Sequence, residues 1–104
     1  MDRKKYSYRF SELANDDLLG IFDYISYELY SPQAASNLID RIEEQIERLC
    51  DFPLSCALVQ DTVLRAKGYR RLVVNNFNIF YLVEDHLIII ERVLYGKRSY
   101  ENLL

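Results

Sequence analysis

The side chains with chemistry to offer are mostly cations, and they gather in two places. Arg65, Lys67, Arg70 and Arg71 fall in a stretch from Thr62 to Val83 that holds no Asp or Glu, and Arg92, Lys97 and Arg98 come near the end of the chain. Clustered guanidinium and ammonium groups bind anions, so the pattern suggests that one face meets an anionic partner. The ordinary alternative is a solvated strand edge and loop, because edge strands carry Lys and Arg to discourage pairing with other chains. Other reactive groups are few. Cys50, Cys56 and the single histidine, His86, do not make up the four N or S ligands of a structural zinc site, and such thiols are expected to stay reduced. No metal and no cofactor is expected.

Charge is divided unevenly along the chain. Residues 1–52 hold six Lys/Arg and eleven Asp/Glu, a balance of −5, whereas residues 53–104 hold seven and five, a balance of +2. The sequence has 50% hydrophobic residues with only three glycines and two prolines, which predicts one folded domain over residues 1–104 and argues against disorder. Its longest aliphatic run, Leu87 to Ile90, is far short of the roughly 20 residues of a membrane helix. Met1-Asp2-Arg3-Lys4-Lys5 leads into Tyr6 and not into an apolar segment, so no signal peptide is read. A cytoplasmic address and no membrane partner are expected.

The elements that must position these residues can be read from hydrophobic spacing. Tyr6-Ser7-Tyr8-Arg9-Phe10 alternates with the period of a half-buried strand. Ser11 can cap a helix in which Ala14, Leu18, Phe22, Ile25 and Leu29 recur at intervals of three and four. Ser31-Pro32 is a second helix start, with Ser as cap and Pro in the first turn. Ala35, Leu38, Ile39, Ile42, Ile46 and Leu49 continue it as an apolar stripe up to Pro53. Tyr69–Val74, Phe77–Val83 and Leu87–Tyr95 read as three strands, joined by turns at Asn75-Asn76 and Glu84-Asp85-His86. Residues 54–68 read as a loop or an irregular edge strand.

The fold class is therefore α+β in the order β-α-α-β-β-β. A two-helix hairpin is expected on one face of a mostly antiparallel four-stranded sheet, with a short C-terminal helical turn over 99–104. The opposite face then has no helix of its own apart from that turn. A bare sheet face in so small a domain is a place to look for function. Tyr24, Tyr27 and Tyr30 either form a partner surface or cover the helix hairpin.

Three segments carry a family likeness: Tyr69-Arg70-Arg71-Leu72-Val73-Val74, Asn76-Phe77-Asn78-Ile79-Phe80-Tyr81-Leu82-Val83, and Ile90-Glu91-Arg92-Val93-Leu94-Tyr95-Gly96-Lys97-Arg98. With Asp17-Leu18 through Asp23-Tyr24-Ile25 ahead of them, they resemble the RelE/ParE superfamily, the toxins of bacterial type II toxin–antitoxin pairs. The likeness covers nearly the whole chain. It implies a toxin that arrests growth, with a cognate antitoxin that wraps a flexible segment around it as an added helix or strand. The basic stretch 65–71, with Lys97 and Arg98, would meet the acids of that segment.

The resemblance implies one of two activities. RelE-like members are metal-free endoribonucleases that cut messenger RNA on the ribosome; ParE-like members inhibit DNA gyrase. A nuclease would need a base, a cationic clamp for the phosphoryl oxygens and an acid for the leaving oxygen. On the family pattern Arg98, Arg71 and Tyr81 would form that catalytic set, with Arg70 as the alternative to Arg71 because the strand register is open by one residue. Arg65, Lys67, Arg70, Arg92, Tyr95 and Lys97 would bind RNA or a protein partner, with Tyr81 and Tyr95 able to stack on splayed bases. Against a nuclease, Asn78 stands where RelE-like enzymes carry a catalytic arginine, and Tyr100 is a short-spaced substitute for their late tyrosine. A pI near 5.1 is also low for phosphate-based binding. The ending from Arg92 to Arg98 is closer to the ParE-like one. The ordinary alternatives pair Arg92 with a helix acid, put Tyr81 in the core and make Arg70 and Arg71 edge charges. A homologue that has lost toxicity and only binds an antitoxin is the third reading.

Overall fold

A computed structural model describes residues 6–96 and 104. Tyr6, Tyr8 and Phe10 alternate with Ser7 and Arg9, so the short strand β1 (Ser7–Phe10) lays three half-buried rings on the core. Ser11 stops the strand. Its Oγ accepts the Ala14 N–H at 3.0 Å and starts helix α1 (Glu12–Asp23). A π-helical turn, Tyr24–Glu28, continues α1. It adds a residue to the turn and so rotates the next residues out of the α-helical register. Leu29, expected on the buried stripe, is for that reason 54% exposed.

Helix α2 (Pro32–Asp51) begins with Pro32 in its first turn and ends just short of Pro53. Ala35, Leu38, Ile42, Ile46 and Leu49 are all buried, as their spacing requires. The expected Ser31 cap is not made through its hydroxyl; only its carbonyl engages the helix, accepting the Ala35 N–H at 3.0 Å. Strands β2 (Arg70–Val74), β3 (Phe77–Glu84) and β4 (Leu87–Tyr95) form a meander. Its turns put Asn75 at φ 54° and Asp85 at φ 52°, the left-handed conformation that short polar side chains tolerate. The sheet order is β1-β4-β3-β2, with β1 parallel to β4 and the other pairs antiparallel. The architecture is thus the expected α+β one, with the helix hairpin on one face.

The opposite face differs from expectation. Within the stretch read as loop or edge strand lies a short helix, α3 (Thr62–Ala66), started by Asp61, whose carboxylate accepts the Leu64 N–H at 3.0 Å. Val59 and Leu64 pack there on Phe80 and Leu94, with Tyr69 and Leu104 beside them. The second face is therefore partly roofed. Five helical residues with one buried apolar side chain give no periodicity to read, so the element leaves no mark in the sequence. The edge-strand alternative survives only as a single antiparallel bridge from Leu58 to Arg70. The helical turn expected over 99–104 falls outside the described residues apart from Leu104.

β4 carries a bulge. Phe80 pairs with Arg92 but Tyr81 pairs with Ile90, which leaves Glu91 as the extra residue. Because of it Ile88, Ile90 and Val93 all face the helices. β1 pairs with β4 only over Leu87–Ile90, and α1 takes over from there. Ser11 donates its N–H to the Ile90 carbonyl at 2.8 Å and its hydroxyl to the Glu91 carbonyl at 2.9 Å. Asp17 Oδ2 accepts Arg92 Nε at 2.8 Å and the Val93 N–H at 2.9 Å, while Oδ1 accepts Arg92 Nη2 at 3.0 Å. Both side chains are only 15% exposed. Asp17→Ala would strand a desolvated guanidinium and a strand N–H, so urea unfolding should show a loss of about 3 kcal/mol. Asp17→Ala/Arg92→Ala should recover part of that loss, because no buried charge is left alone.

Candidate functional site

The structure separates two of the residues proposed for catalysis, Arg71 and Tyr81. Arg71 lies opposite Phe80 on β3, and Arg70 lies opposite Tyr81. Phe80 belongs to the α3-side cluster and Tyr81 to the helix-hairpin core, so Arg71 and Tyr81 occupy opposite faces of the sheet. Arg71 is exposed, and its N–H donates to the Ala57 carbonyl at 3.2 Å. Tyr81 is wholly buried and its hydroxyl donates to the Pro53 carbonyl at 3.0 Å. Burial, then the neighbouring Cys56 thiol, pushes its pKa well above the ordinary value of 10.0. A tyrosine so enclosed is not presented at the surface to a base or a substrate. Arg98 and Lys97 lie outside the described residues.

Asn78, which the resemblance aligns with an arginine of RelE-like enzymes, has a structural task. Its side-chain amide donates to the Gly96 carbonyl and ties β3 to the end of β4. Arg92 is held by Asp17, and those hydrogen bonds raise its pKa further; this is the helix-acid pairing anticipated as its ordinary role. Arg70 is half-buried on the helix side, with Nη1 donating to the Cys56 carbonyl at 2.6 Å. Arg65 donates weakly to the Val59 carbonyl at 3.4 Å and, like Lys67 and Arg71, is exposed. These three cations lie on and after α3 and on the outer face of β2, where Arg71 lines a small hollow of about 260 Å³ with Ala57, Gln60 and Val73. His86 is exposed in the β3–β4 turn, its ring 5.2 Å from that of Tyr6.

A larger feature lies elsewhere. An open cleft of about 670 Å³ runs between α1, the π-helical turn and the end of β4. Ile21, Ile25, Phe77 and Val93 form its apolar lining, with Asp16, Tyr24, Leu29 and Tyr95 among its other walls. Tyr95 is 59% exposed and meets Phe77 edge-on at 5.2 Å. Among the described residues no strand pairs with β4 past Ile90 on this side; the Ser11 hydroxyl and the Asp17 carboxylate meet the Glu91 carbonyl and the Val93 N–H there instead. Sequence reasoning found Tyr95 but not the cleft. The available signal was the run from residue 10 to 40, with six acids and no Lys or Arg. Among the described residues no group of His, Cys, Asp and Glu could hold a metal, and no helix is long and apolar enough to cross a membrane.

These features define a class: a small α+β domain whose open surfaces are an apolar cleft and a cationic rim. Comparison with solved structures finds the same fold in bacterial toxin–antitoxin systems. The chain is similar to one from the chromosomal ParDE system of P. aeruginosa, with a TM-score of 0.73 and 24% identity over 90% of this chain and 99% of that one. Likeness extends to the RelBE2 toxin–antitoxin complex of Mycobacterium tuberculosis (TM-score 0.59, 17% identity, covering 88% and 98%). It extends also to the E. coli DinJ–YafQ toxin–antitoxin complex (TM-score 0.57, 15% identity, covering 88% and 92%). No curated protein matches the sequence. The model of the family described as the ParE toxin of the type II toxin–antitoxin system, parDE, matches residues 8–100. The chain belongs to this ParE toxin family.

The buried Tyr81 hydroxyl gives a test. Tyr81→Phe should fold and lose about 1 kcal/mol, the worth of one neutral hydrogen bond. The folded state holds the phenol proton more tightly than the unfolded chain, which releases it from about pH 10. Stability should therefore fall as pH rises past about 10, and less steeply in Tyr81→Phe. Some alkaline loss should remain, because burial and then Glu91 also raise the Tyr69 pKa. Urea midpoints at pH 8 and above pH 10 measure both effects.

Proposed function

We propose that this toxin arrests growth by binding DNA gyrase, not by cutting messenger RNA, and that a cognate antitoxin restrains it. The observation that carries the reading is the burial of Tyr81, with Arg71 on the opposite face of the sheet and Arg70, on the same face, tied to the Cys56 carbonyl. Metal-free RNA cleavage needs cations and proton-transfer groups within hydrogen-bond reach of one phosphate. Here Tyr81 is sealed in the core, Asn78 is committed to Gly96 and Arg92 to Asp17. Gyrase inhibition asks only for a surface complementary to a protein, and the apolar cleft supplies one. Membership of the ParE family supports the same choice.

The antitoxin is supported by the solved relatives, which come from toxin–antitoxin systems. The exposed cations Arg65, Lys67 and Arg71 suit an acidic antitoxin segment. Lys67→Glu/Arg71→Glu should weaken antitoxin binding at least about tenfold and flatten its salt dependence, measured by calorimetry at two ionic strengths.

The mechanism is tested by two assays on the purified chain. Gyrase supercoiling should be inhibited, and messenger RNA on programmed ribosomes should stay intact. Cleavage of ribosome-bound message that Arg98→Ala abolishes would overturn the proposal in favour of the nuclease. Folded chain that inhibits neither process and leaves growth unaffected when expressed without antitoxin would favour the non-toxic homologue.

A further inference from the structure

Residues 24–30, at the turn of the helical hairpin, break several local rules at once. Tyr24 is 56% exposed, Tyr27 69%, Leu29 54% and Tyr30 88%, so four of seven consecutive residues offer large partly apolar side chains to solvent. Their backbone is irregular too. Leu29 N–H reaches the Tyr24 carbonyl at 3.2 Å, the five-residue span of a π-helix, and Ser31 N–H reaches six residues back to the Ile25 carbonyl at 3.0 Å; π-helical turns concentrate at functional positions. Tyr30 sits at φ 52°, where a bulky side chain is unusual and glycine would rest easily. Ser26 is buried with its Oγ lacking a hydrogen-bond partner among the described residues. None of these departures improves the core, and such unrepaid irregularities gather at functional sites.

The surrounding charge says which chemistry would bind. Asp23 adjoins the turn, Glu28 lies within it and Asp16 lines the cleft, all three exposed, while Asp17 in the same cleft wall is neutralised by Arg92. Tyr24 and Leu29 also wall the cleft beside Asp16, so the aromatic turn and the apolar cleft are one continuous surface. An anionic surface rich in tyrosine repels nucleic acid and acidic peptide. It attracts lysine and arginine, which lie over tyrosine rings while their aliphatic neighbours fill the cleft. Tyrosine suits this task because it gives large contact area with little rotamer entropy to lose.

We infer that residues 24–30 and the adjoining cleft dock a protein segment carrying lysine or arginine beside aliphatic side chains, and that the arrested target is held there. The inference rests on the reading that the toxin acts by binding a protein. Its sign is opposite to that of the Arg65, Lys67 and Arg71 rim, so an acidic antitoxin segment and the target use different surfaces.

The test combines Tyr27→Ala with Tyr30→Gly in the full chain. Glycine relieves the left-handed position, so the melting temperature should hold or rise while both rings are lost. The concentration for half-inhibition of gyrase supercoiling should rise at least about tenfold, with antitoxin affinity unchanged, and Glu28→Lys should act in the same direction. Inhibition kept within about twofold would overturn the inference, as would lost antitoxin affinity with inhibition intact. If the unaltered chain arrests growth but leaves gyrase alone, the gyrase reading fails by itself. The same variants are then scored by growth arrest, where loss of arrest upholds the surface and undiminished arrest overturns it.

Discussion

The fold turns on one carboxylate. β1 is four residues long and covers only the first part of β4, so the rest of β4 would be a bare edge, bent by the bulge at Glu91. Asp17 reaches from α1 to take the Val93 N–H and both facing nitrogens of Arg92. It thereby satisfies a strand donor, neutralises a mostly desolvated guanidinium and anchors the first helix to the sheet. Charge-assisted, forked hydrogen bonds of this kind are the strong and geometrically specific ones. With β4 held in its bulged path, Val93 joins Ile88 and Ile90 under the helices.

The open surfaces depend on that clamp. Because α1 replaces β1 as the neighbour of β4, a cleft remains between the helix and the strand end in place of a further pairing. The π-helical turn leaves Leu29 outside the core, and Leu29 and Tyr24 both stand on the cleft wall. On the other edge, β2 has as its outer neighbour among the described residues only the bridge at Leu58, and the cations gather there. The domain thus offers an anionic, aromatic surface at one side and a cationic rim at the other. A net charge of −3 conceals this division, which matters more for partner choice than the total does.

A shared catalytic site for Arg71 and Tyr81 meets an obstacle in strand geometry, which alternates residue by residue. Successive side chains turn to opposite faces, so a placement uncertain by one residue is uncertain by an entire face. Tyr81 and Arg71 both stand at family-like positions in the sequence, yet one is sealed against Pro53 and the other faces solvent. Arg92 and Arg71 carry the same functional group, but Arg92 is spent on Asp17, 75 positions away in the chain. Asn78 is a different case, because an amide carries no charge to offer a phosphate whichever way it faces.

The sequence by itself determined the elements and their class. The stripe from Ala35 to Leu49, the alternation of Tyr6, Tyr8 and Phe10, and the Asn75 and Asp85 turns are local patterns whose physics acts within a few residues. They are enough to specify a helix hairpin on a meander, and segment likeness is enough to suggest the toxin superfamily. The tertiary structure alone decided which charges are free and which are spent, where the second face is roofed by α3, and where the cleft opens. Those outcomes depend on contacts between residues far apart in the chain, such as Ser11 with Glu91 and Asp17 with Val93, and no local periodicity encodes them.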